Sequence, residues 1–429
     1  MKKKKAPLGR RMKEYVRASV IWGPLDHNLF FTIIFLNVYG IIMVYSASYN
    51  NTITKNSNYF MMNQLKNVIF GLIVMLVVSY VNYHRFVRLG FGWFWLFLAF
   101  CIIGALKTPL ARSELGATRW IRLGPISFQA AEPIKAAFII FLAYYVKYVG
   151  LKTWKQQIAL AAVSLPLLVL LFAVSNNLSA FIILFSIYIV IDMASIRKQD
   201  IPRHIICLMV AGIIAVIAYI IYSVITNGSL ENDFRIQRIL AWISSEGQSS
   251  TDVAFQSLQA KYAIGAGGFW GKGLGQSLIK FKLPYSYNDF ILAIICEELG
   301  VFGVILMMSL FGYLLYRVYR IAQNAWDIDG KILAIGVFMQ IAVQLLINVM
   351  VVTSIIPTTG VTLPFFSAGG TSVVFLLAEL GMILNVDKYA KERRFREEAE
   401  RHVAQVEQRG GIGVAGWRRH LDSLRTHKG

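Results

Sequence analysis

Charged side chains are scarce in this chain. Only 15% of its 429 residues are Asp, Glu, Lys or Arg, against about 25% in a soluble globular domain. That shortage excludes an ordinary water-solvated fold, and a hydrophobic content of 56% places the chain in the membrane class. Cysteine is scarce too. Cys101, Cys207 and Cys296 are scattered, odd in number and set in apolar segments, which excludes a disulfide framework or a zinc site. Acidic residues are outnumbered, 23 against 43 basic ones. A net charge of +20 suits nucleic acid or an anionic membrane. Much of the excess lies in two tails beside apolar runs, so lipid headgroups account for it and no nucleic acid is expected. No stretch reads as a cleavable leader. Lys2 to Lys5 are followed by polar, mixed sequence, and the first long apolar run starts only near Leu29. Residues 1–27 therefore read as a basic cytoplasmic tail before an uncleaved first span.

What is present is a series of apolar runs. A helix needs roughly 20 apolar residues to cross the hydrocarbon layer. Runs near that length fall at 29–47, 65–81, 91–107, 133–149, 158–175, 180–194, 204–225, 289–316, 332–356 and 371–386. The expectation is an all-α polytopic membrane protein of about ten transmembrane helices. Its membrane domain covers 28–386, and a charged tail occupies 387–429. An even number of spans puts both termini on one side, and the positive-inside rule makes that side cytoplasmic. Both tails are basic. So are the short loops that share their side, with Arg85 and Arg88, Lys147, Lys152 and Lys155, Arg197, Lys198 and Arg203, and Arg317, Arg320 and Lys331. The loops at 176–179 and 357–370 carry no Lys or Arg.

Two external loops break this pattern. The stretch 107–132 holds Lys107, Arg112, Arg119 and Arg122, and the large loop 226–288, between helices 7 and 8, holds Arg235, Arg238, Lys261, Lys272, Lys280 and Lys282. Basic residues kept on the unfavoured side of a short loop suggest an anionic ligand such as a phosphate. The large loop contains GAGGFWGKGLGQS at 265–277. It is not a P-loop, because Gly273 rather than Ser or Thr follows Gly271-Lys272 and no strand precedes it. A tightly turned membrane-surface segment is the simpler reading; backbone N–H groups offered to phosphates are the functional one. Ionisable groups inside spans usually face a cavity or a partner. Glu132 and Lys135 share one helical face at a spacing of three, either as an interfacial ion pair or as cavity lining. Glu297, Glu298 and Glu379 lie deeper. Asp289 opens the eighth span beside the basic loop, where it is either a helix N-cap or the best-placed carboxylate for outer-face chemistry. The segment 357–370, PTTGVTLPFFSAGG, is too broken for a helix and reads as a re-entrant or capping hairpin.

Together these segments resemble the SEDS family of cell-wall polymerases, the FtsW, RodA and SpoVE group. The resemblance runs through roughly 28–386 and is carried by three stretches in order. They are Gln256-Ser257 through GAGGFWGKGLGQSLIKFKLPYSYNDFILAIICEELG to Gly300, GATRWIRLGPISFQAAEPIK at 116–135, and PTTGVTLPFFSAGGTS at 357–372. Three departures stand out. Ala130-Ala131 replaces the family's usual Pro-Ser, Asn176-Asn177-Leu178-Ser179 replaces a Pro-Asp-Leu-Gly type of loop, and Ala368 stands where a tyrosine is usual. No catalytic weight therefore falls on the second loop.

The resemblance implies a peptidoglycan glycosyltransferase of the bacterial cytoplasmic membrane that polymerises lipid II at the outer face, in division or cell-shape maintenance. It implies Asp289 as the catalytic carboxylate. Glu132, Lys135, Arg119, Arg122, Arg238, Lys272, Ser367, Gly369 and Gly370 become the substrate-binding candidates. A divalent cation, Mg or Mn, could share the work at the pyrophosphate, although no dedicated metal cage is visible. The partner implied is a class B penicillin-binding protein transpeptidase, with other division or elongation proteins. A lipid II flippase and a non-catalytic scaffold of a division complex are the rival readings. The orientation is open to direct test in a cysteine-free background. Outside labelling should reach a cysteine placed at Ser249 and miss one at Gln199; the reverse pattern would invert the assignment of faces.

Overall fold

The computed structural model describes residues 25–48, 58–88, 91–114, 117–124, 126–195, 242, 252–283 and 286–408. The span expected at 204–225, most of the first half of the large loop, and the labelling positions Ser249 and Gln199 lie outside them. Ten α-helices are described: α1 His27–Ser48, α2 Tyr59–Tyr80, α3 Phe91–Ala105, α4 Ala131–Tyr148, α5 Trp154–Ser175, α6 Leu178–Ser195, α7 Asp252–Gly267, α8 Ile291–Asn324, α9 Ile328–Val352 and α10 Thr371–Gln408. Five of them, α1, α2, α5, α8 and α9, are long and apolar enough to cross a membrane. Large side chains such as Phe70, Ile73 and Val77 on α2, Phe97 on α3 and Ile305 on α8 face outward and exposed. In water such faces would aggregate; against lipid they cost nothing.

The helices start where polar caps allow it. The Asp26 carboxylate accepts the Asn28 and Leu29 N–H groups at 3.1 and 3.2 Å to open α1. Asp327 accepts the Gly330 N–H at 3.0 Å to open α9, and Asn177 accepts from Ala180 at 3.1 Å to open α6. Each satisfies an end N–H that the helix itself cannot. The centre of the bundle is α4, buried almost without interruption from Ala131 to Tyr145. It packs against α3, α6, α9 and α10, while α10 also runs along α2. Gly381 permits the α2–α10 approach, since a Cβ there would stand 2.5 Å from the Met75 carbonyl oxygen. Arg317 on α8 pairs with Asp26 and lies within electrostatic range of Asp387 on α10. The start of α1 and the far end of the buried part of α10 therefore share one end of the bundle.

Three expectations change. The chain is not purely helical: the loop 107–132 folds into an antiparallel sheet of β1 Ala111–Glu114, β2 Ala117–Leu123 and β3 Ile126–Gln129, in the order β1-β2-β3. Outside the helices this backbone still needs partners, and it pairs with itself, Trp120 opposite Gln129 and Arg122 opposite Ser127. The large loop is not loop throughout, because α7 occupies its middle. The last helix does not stop at 386; it continues to Gln408 as a charged helix with i,i+4 pairs, Asp387 with Lys391 at 2.5 Å and Glu397 with Arg401 at 2.9 Å.

Within α8 the helix is broken at Gly300, whose φ of 64° and ψ of −162° are not helical. A break at membrane depth frees backbone groups that water cannot satisfy. Here the glycine-rich segment satisfies them: Val301 and Phe302 donate to the Gly268 and Phe269 carbonyls at 3.1 and 3.2 Å, and Lys272 and Gly273 donate to the Glu297 and Glu298 carbonyls at 3.0 and 2.9 Å. Backbone lies so close to backbone that a Cβ on Gly271 or Gly300 would clash with main-chain atoms, and both have positive φ.

Candidate functional site

The turn 286–290 carries Asp289 into α8. Three consecutive carbonyls of this turn are each held by a donor from elsewhere. Ala368 N–H donates to the Tyr287 carbonyl at 2.9 Å, the Ser367 hydroxyl to the Asn288 carbonyl at 2.7 Å, and the Asn348 side-chain amide to the Asp289 carbonyl at 3.1 Å. The Ser367 oxygen accepts in turn from the Leu363 N–H at 2.7 Å, and Asn348 donates a second time, to the Val361 carbonyl at 2.7 Å. The broken segment 357–370 and the turn bearing Asp289 are thus one bonded unit. The N-cap position of α8 is Phe290, with no side-chain cap bond, which leaves Asp289 one residue outside the helix.

Arg119, from β2, is the cation brought to Asp289. Gly360 sits between them: a Cβ there would lie 2.8 Å from Arg119 Nη1 and 3.5 Å from Asp289 Oδ2, with φ at +74°. Only glycine leaves that gap open. Burial pushes the Arg119 guanidinium down from its ordinary value, and the neighbouring Asp289 charge opposes that push. The Arg119 Nε is enclosed without a hydrogen-bond partner, a buried donor of the kind a ligand can satisfy. Arg122, three residues on and so on the other strand face, is exposed and donates to the Gly124 carbonyl at 3.2 Å. It is not brought to Asp289.

Inward from Asp289, α9 presents Asn348, Gln344 and Gln340 at a spacing of four, one face of the helix. Gln344 donates to the Thr362 carbonyl at 3.0 Å and accepts from Lys135 Nζ at 3.2 Å. Lys135 also pairs with Glu132 at 2.9 Å, and Gln340 donates to Glu379 at 2.7 Å. All six are buried. A cavity lined by Glu132, Gln340, Gln344, Thr362, Ser367, Gly369 and Ser372 opens among them. Gly370, with φ of +54°, makes the turn into α10. The three α9 amides were not singled out from the sequence, although Gln-x3-Gln-x3-Asn inside an apolar span is a readable signal.

The glycine-rich segment plays another part than the phosphate cradle considered above. The N–H groups of Ser277, Leu278 and Ile279 point at the Glu297 and Glu298 carboxylates at 3.2–3.4 Å. Lys272 pairs with Glu297 at 2.7 Å, and buried Lys280 donates to the Gly275 and Ser46 carbonyls at 2.8 and 3.2 Å. Glu297 lies about 12 Å along α8 from Asp289, at 1.5 Å rise per residue. Lys272 is therefore taken out of the Asp289 site: its charge balances a buried carboxylate. Arg238 lies outside the described residues. The described group suited to a metal ion is His84, Asp327 and Asp329. It gathers at the start of α9, about 30 Å by helix rise from Asn348 near the other end. Beside Asp289 the ionic neighbour is a guanidinium, a donor set that does not suit Mg or Mn.

A helical bundle with broken segments at one end, a carboxylate beside a guanidinium there, and a buried polar track leading inward defines a polytopic membrane protein with a built polar site. A family model described as cell cycle protein, covering FtsW, RodA and SpoVE, matches residues 26–392. The chain belongs to this family. It is 33% identical over 386 residues to a probable peptidoglycan glycosyltransferase FtsW of Trichlorobacter lovleyi, covering 87% of this chain and 96% of that one. It is 34% identical over 372 residues to stage V sporulation protein E of Bacillus subtilis, covering 84% and 96%. The fold matches the crystal structure of the rod shape determining protein RodA of Thermus thermophilus, with a TM-score of 0.61 at 21% identity over 86% of this chain and 98% of that one. It also matches a chain from a study of how a peptidoglycan synthase complex coordinates polymerization and crosslinking, with a TM-score of 0.69 at 21% identity over 86% and 99%.

The ion pair at the inner end of the site sets a stability test. Lys135→Met leaves Glu132 buried without its partner and should lower stability by about 3–5 kcal/mol. Adding Glu132→Gln should recover most of that loss. Denaturant titration in detergent reads both; equal losses in the single and double variants would show that the pair is not coupled.

Proposed function

We propose that this protein is a peptidoglycan glycosyltransferase that polymerises lipid II at the outer face of the bacterial cytoplasmic membrane, with Asp289 as its catalytic carboxylate. The observation that carries the reading is the fixed juxtaposition of Asp289 and Arg119 across Gly360 at the mouth of the polar track, in a chain of this family. In the reaction, the 4-hydroxyl of a GlcNAc attacks the anomeric carbon of a lipid-linked MurNAc. A C1–O4 bond forms as the C1–oxygen bond to undecaprenyl pyrophosphate breaks, with inversion at C1. The hydroxyl proton passes to Asp289, the general base. Arg119 serves twice: its charge favours the ionised form of Asp289, and its enclosed Nε offers a donor to the departing pyrophosphate. Glu132 and Gly369 line the substrate cavity, and Lys135 holds Glu132 and Gln344 in its wall. Ser367 has its hydroxyl engaged with two backbone groups and acts as part of the frame. No step is routed through a divalent cation.

The positive-inside pattern supports this orientation. The end of the bundle opposite Asp289 carries Arg85, Lys147 and Arg317, so both tails lie in the cytoplasm and Asp289 faces outward. The named relatives support a role in division, with shape maintenance or sporulation as the alternatives. A class B penicillin-binding protein is the proposed partner, since a glycan strand needs a transpeptidase to cross-link it. The track of buried amides and charges running inward from Asn348 favours the rival reading of a lipid II flippase.

Asp289→Asn tests the catalytic role. Phe290 holds the cap position, so the variant should insert, fold and bind lipid II as the wild type does. Glycan synthesis in a gel assay should fall by about 10²–10⁴-fold, the range of general-base catalysis. Polymerisation at near wild-type rate would remove Asp289 from the mechanism.

A further inference from the structure

We infer that Asn348 is a positioning residue for the glycosyl-transfer site, acting on the backbone at Asp289 and not on the reacting atoms. This rests on the reading of Asp289 as the catalytic carboxylate. Asn348 has no exposed surface, and its amide nitrogen donates to the Asp289 carbonyl at 3.1 Å and the Val361 carbonyl at 2.7 Å. Both partners are obligate acceptors, so the amide orientation is set by chemistry: the NH₂ group must face them. One side chain therefore uses both of its N–H bonds to tie two chain segments together.

The two segments are the two walls of the site. Asp289 carries the carboxylate. Val361 follows Gly360, the residue that fits between that carboxylate and the Arg119 guanidinium. The span from Asp289 to Val361 through Asn348 fixes the width of the Arg119–Gly360–Asp289 gap. The neighbouring Tyr287 and Asn288 carbonyls are held in the same way by Ala368 and Ser367. Asn348 Oδ1 is buried without a partner. An apolar residue would avoid that penalty, so the amide is kept for its two donors. Gln344, one turn earlier on the same face, repeats the device by donating to the Thr362 carbonyl while accepting from Lys135. The α9 helix acts as a ruler against which both walls are set.

A displacement of about 1 Å at a reacting group can reduce rate by about 10²-fold. Asn348→Leu keeps the branched shape in a larger side chain and removes both donors. It should lower kcat for glycan synthesis by about 10–100-fold, with KM for lipid II changed by less than about twofold. A merely structural role would instead reduce the folded fraction and leave kcat per folded molecule unchanged, so rates are normalised to folded, monodisperse protein. In the Asp289→Asn background, Asn348→Leu should add no more than about a twofold further loss, because it acts through Asp289. If Asn348→Leu does not insert, Asn348→Ser, smaller and with a single donor, carries the same comparison. Wild-type kcat in the Asn348 variant while Asp289→Asn is inactive would overturn this inference and leave the function standing. An active Asp289→Asn would overturn the catalytic reading and this inference with it.

Discussion

Inside a bilayer, a backbone N–H or C=O that leaves a helix must find its partner within the protein. The site end of this molecule is organised by that requirement. The chain abandons helical geometry at the turn before α8, at Gly300 and across 357–370, and each departure is answered by another segment. The turn 286–290 gives up its carbonyls to Ala368, Ser367 and Asn348. The residues on either side of Gly300 exchange main-chain bonds with the glycine-rich segment after α7. Because each segment satisfies another, none can shift alone, and Asp289 inherits a rigid seat without belonging to a helix.

The buried charges obey a related rule. Buried Lys135 and Lys280 are matched by Glu132 at 2.9 Å and Glu298 at 3.7 Å, and buried Glu297 is matched by the exposed Lys272 at 2.7 Å. Removing one partner of such a pair strands the other in a medium that cannot solvate it. Arg119 differs. Asp289 compensates its charge, yet its Nε remains enclosed and unbonded. The electrostatic contrast between satisfied lysines and an incompletely satisfied arginine is what separates framework from site.

Much of this was legible from residue order, and the failures have physical causes. Nine of the apolar runs correspond to described helices because length and hydropathy alone decide whether a segment can span. Asp289 and Arg119 were legible as a carboxylate and a basic residue on the same face. Their pairing across Gly360 was not, since it depends on a contact 241 residues from Arg119 along the chain. The β-sheet was not legible, because Thr118-Arg-Trp120-Ile-Arg122 sets two apolar residues side by side and lacks the alternation that marks a strand. The pairing of Lys272 with Glu297 was not legible either. Composition shows a lysine among glycines, but it does not show that Glu297, a turn before the helix break, takes its charge. Asn348 and its two companions carry no charge, so their place in an apolar run does not reveal which backbone or side-chain groups they bind.

A polymerase and a flippase would both want polar groups within the bundle, and they differ in what the site does to the substrate. Purified protein in liposomes, given labelled lipid II and no partner, separates the two. A polymerase makes glycan strands accumulate on the Asp289 side, with leaflet exchange no faster than in empty liposomes. Rapid leaflet exchange without any glycan product would contradict the polymerase reading.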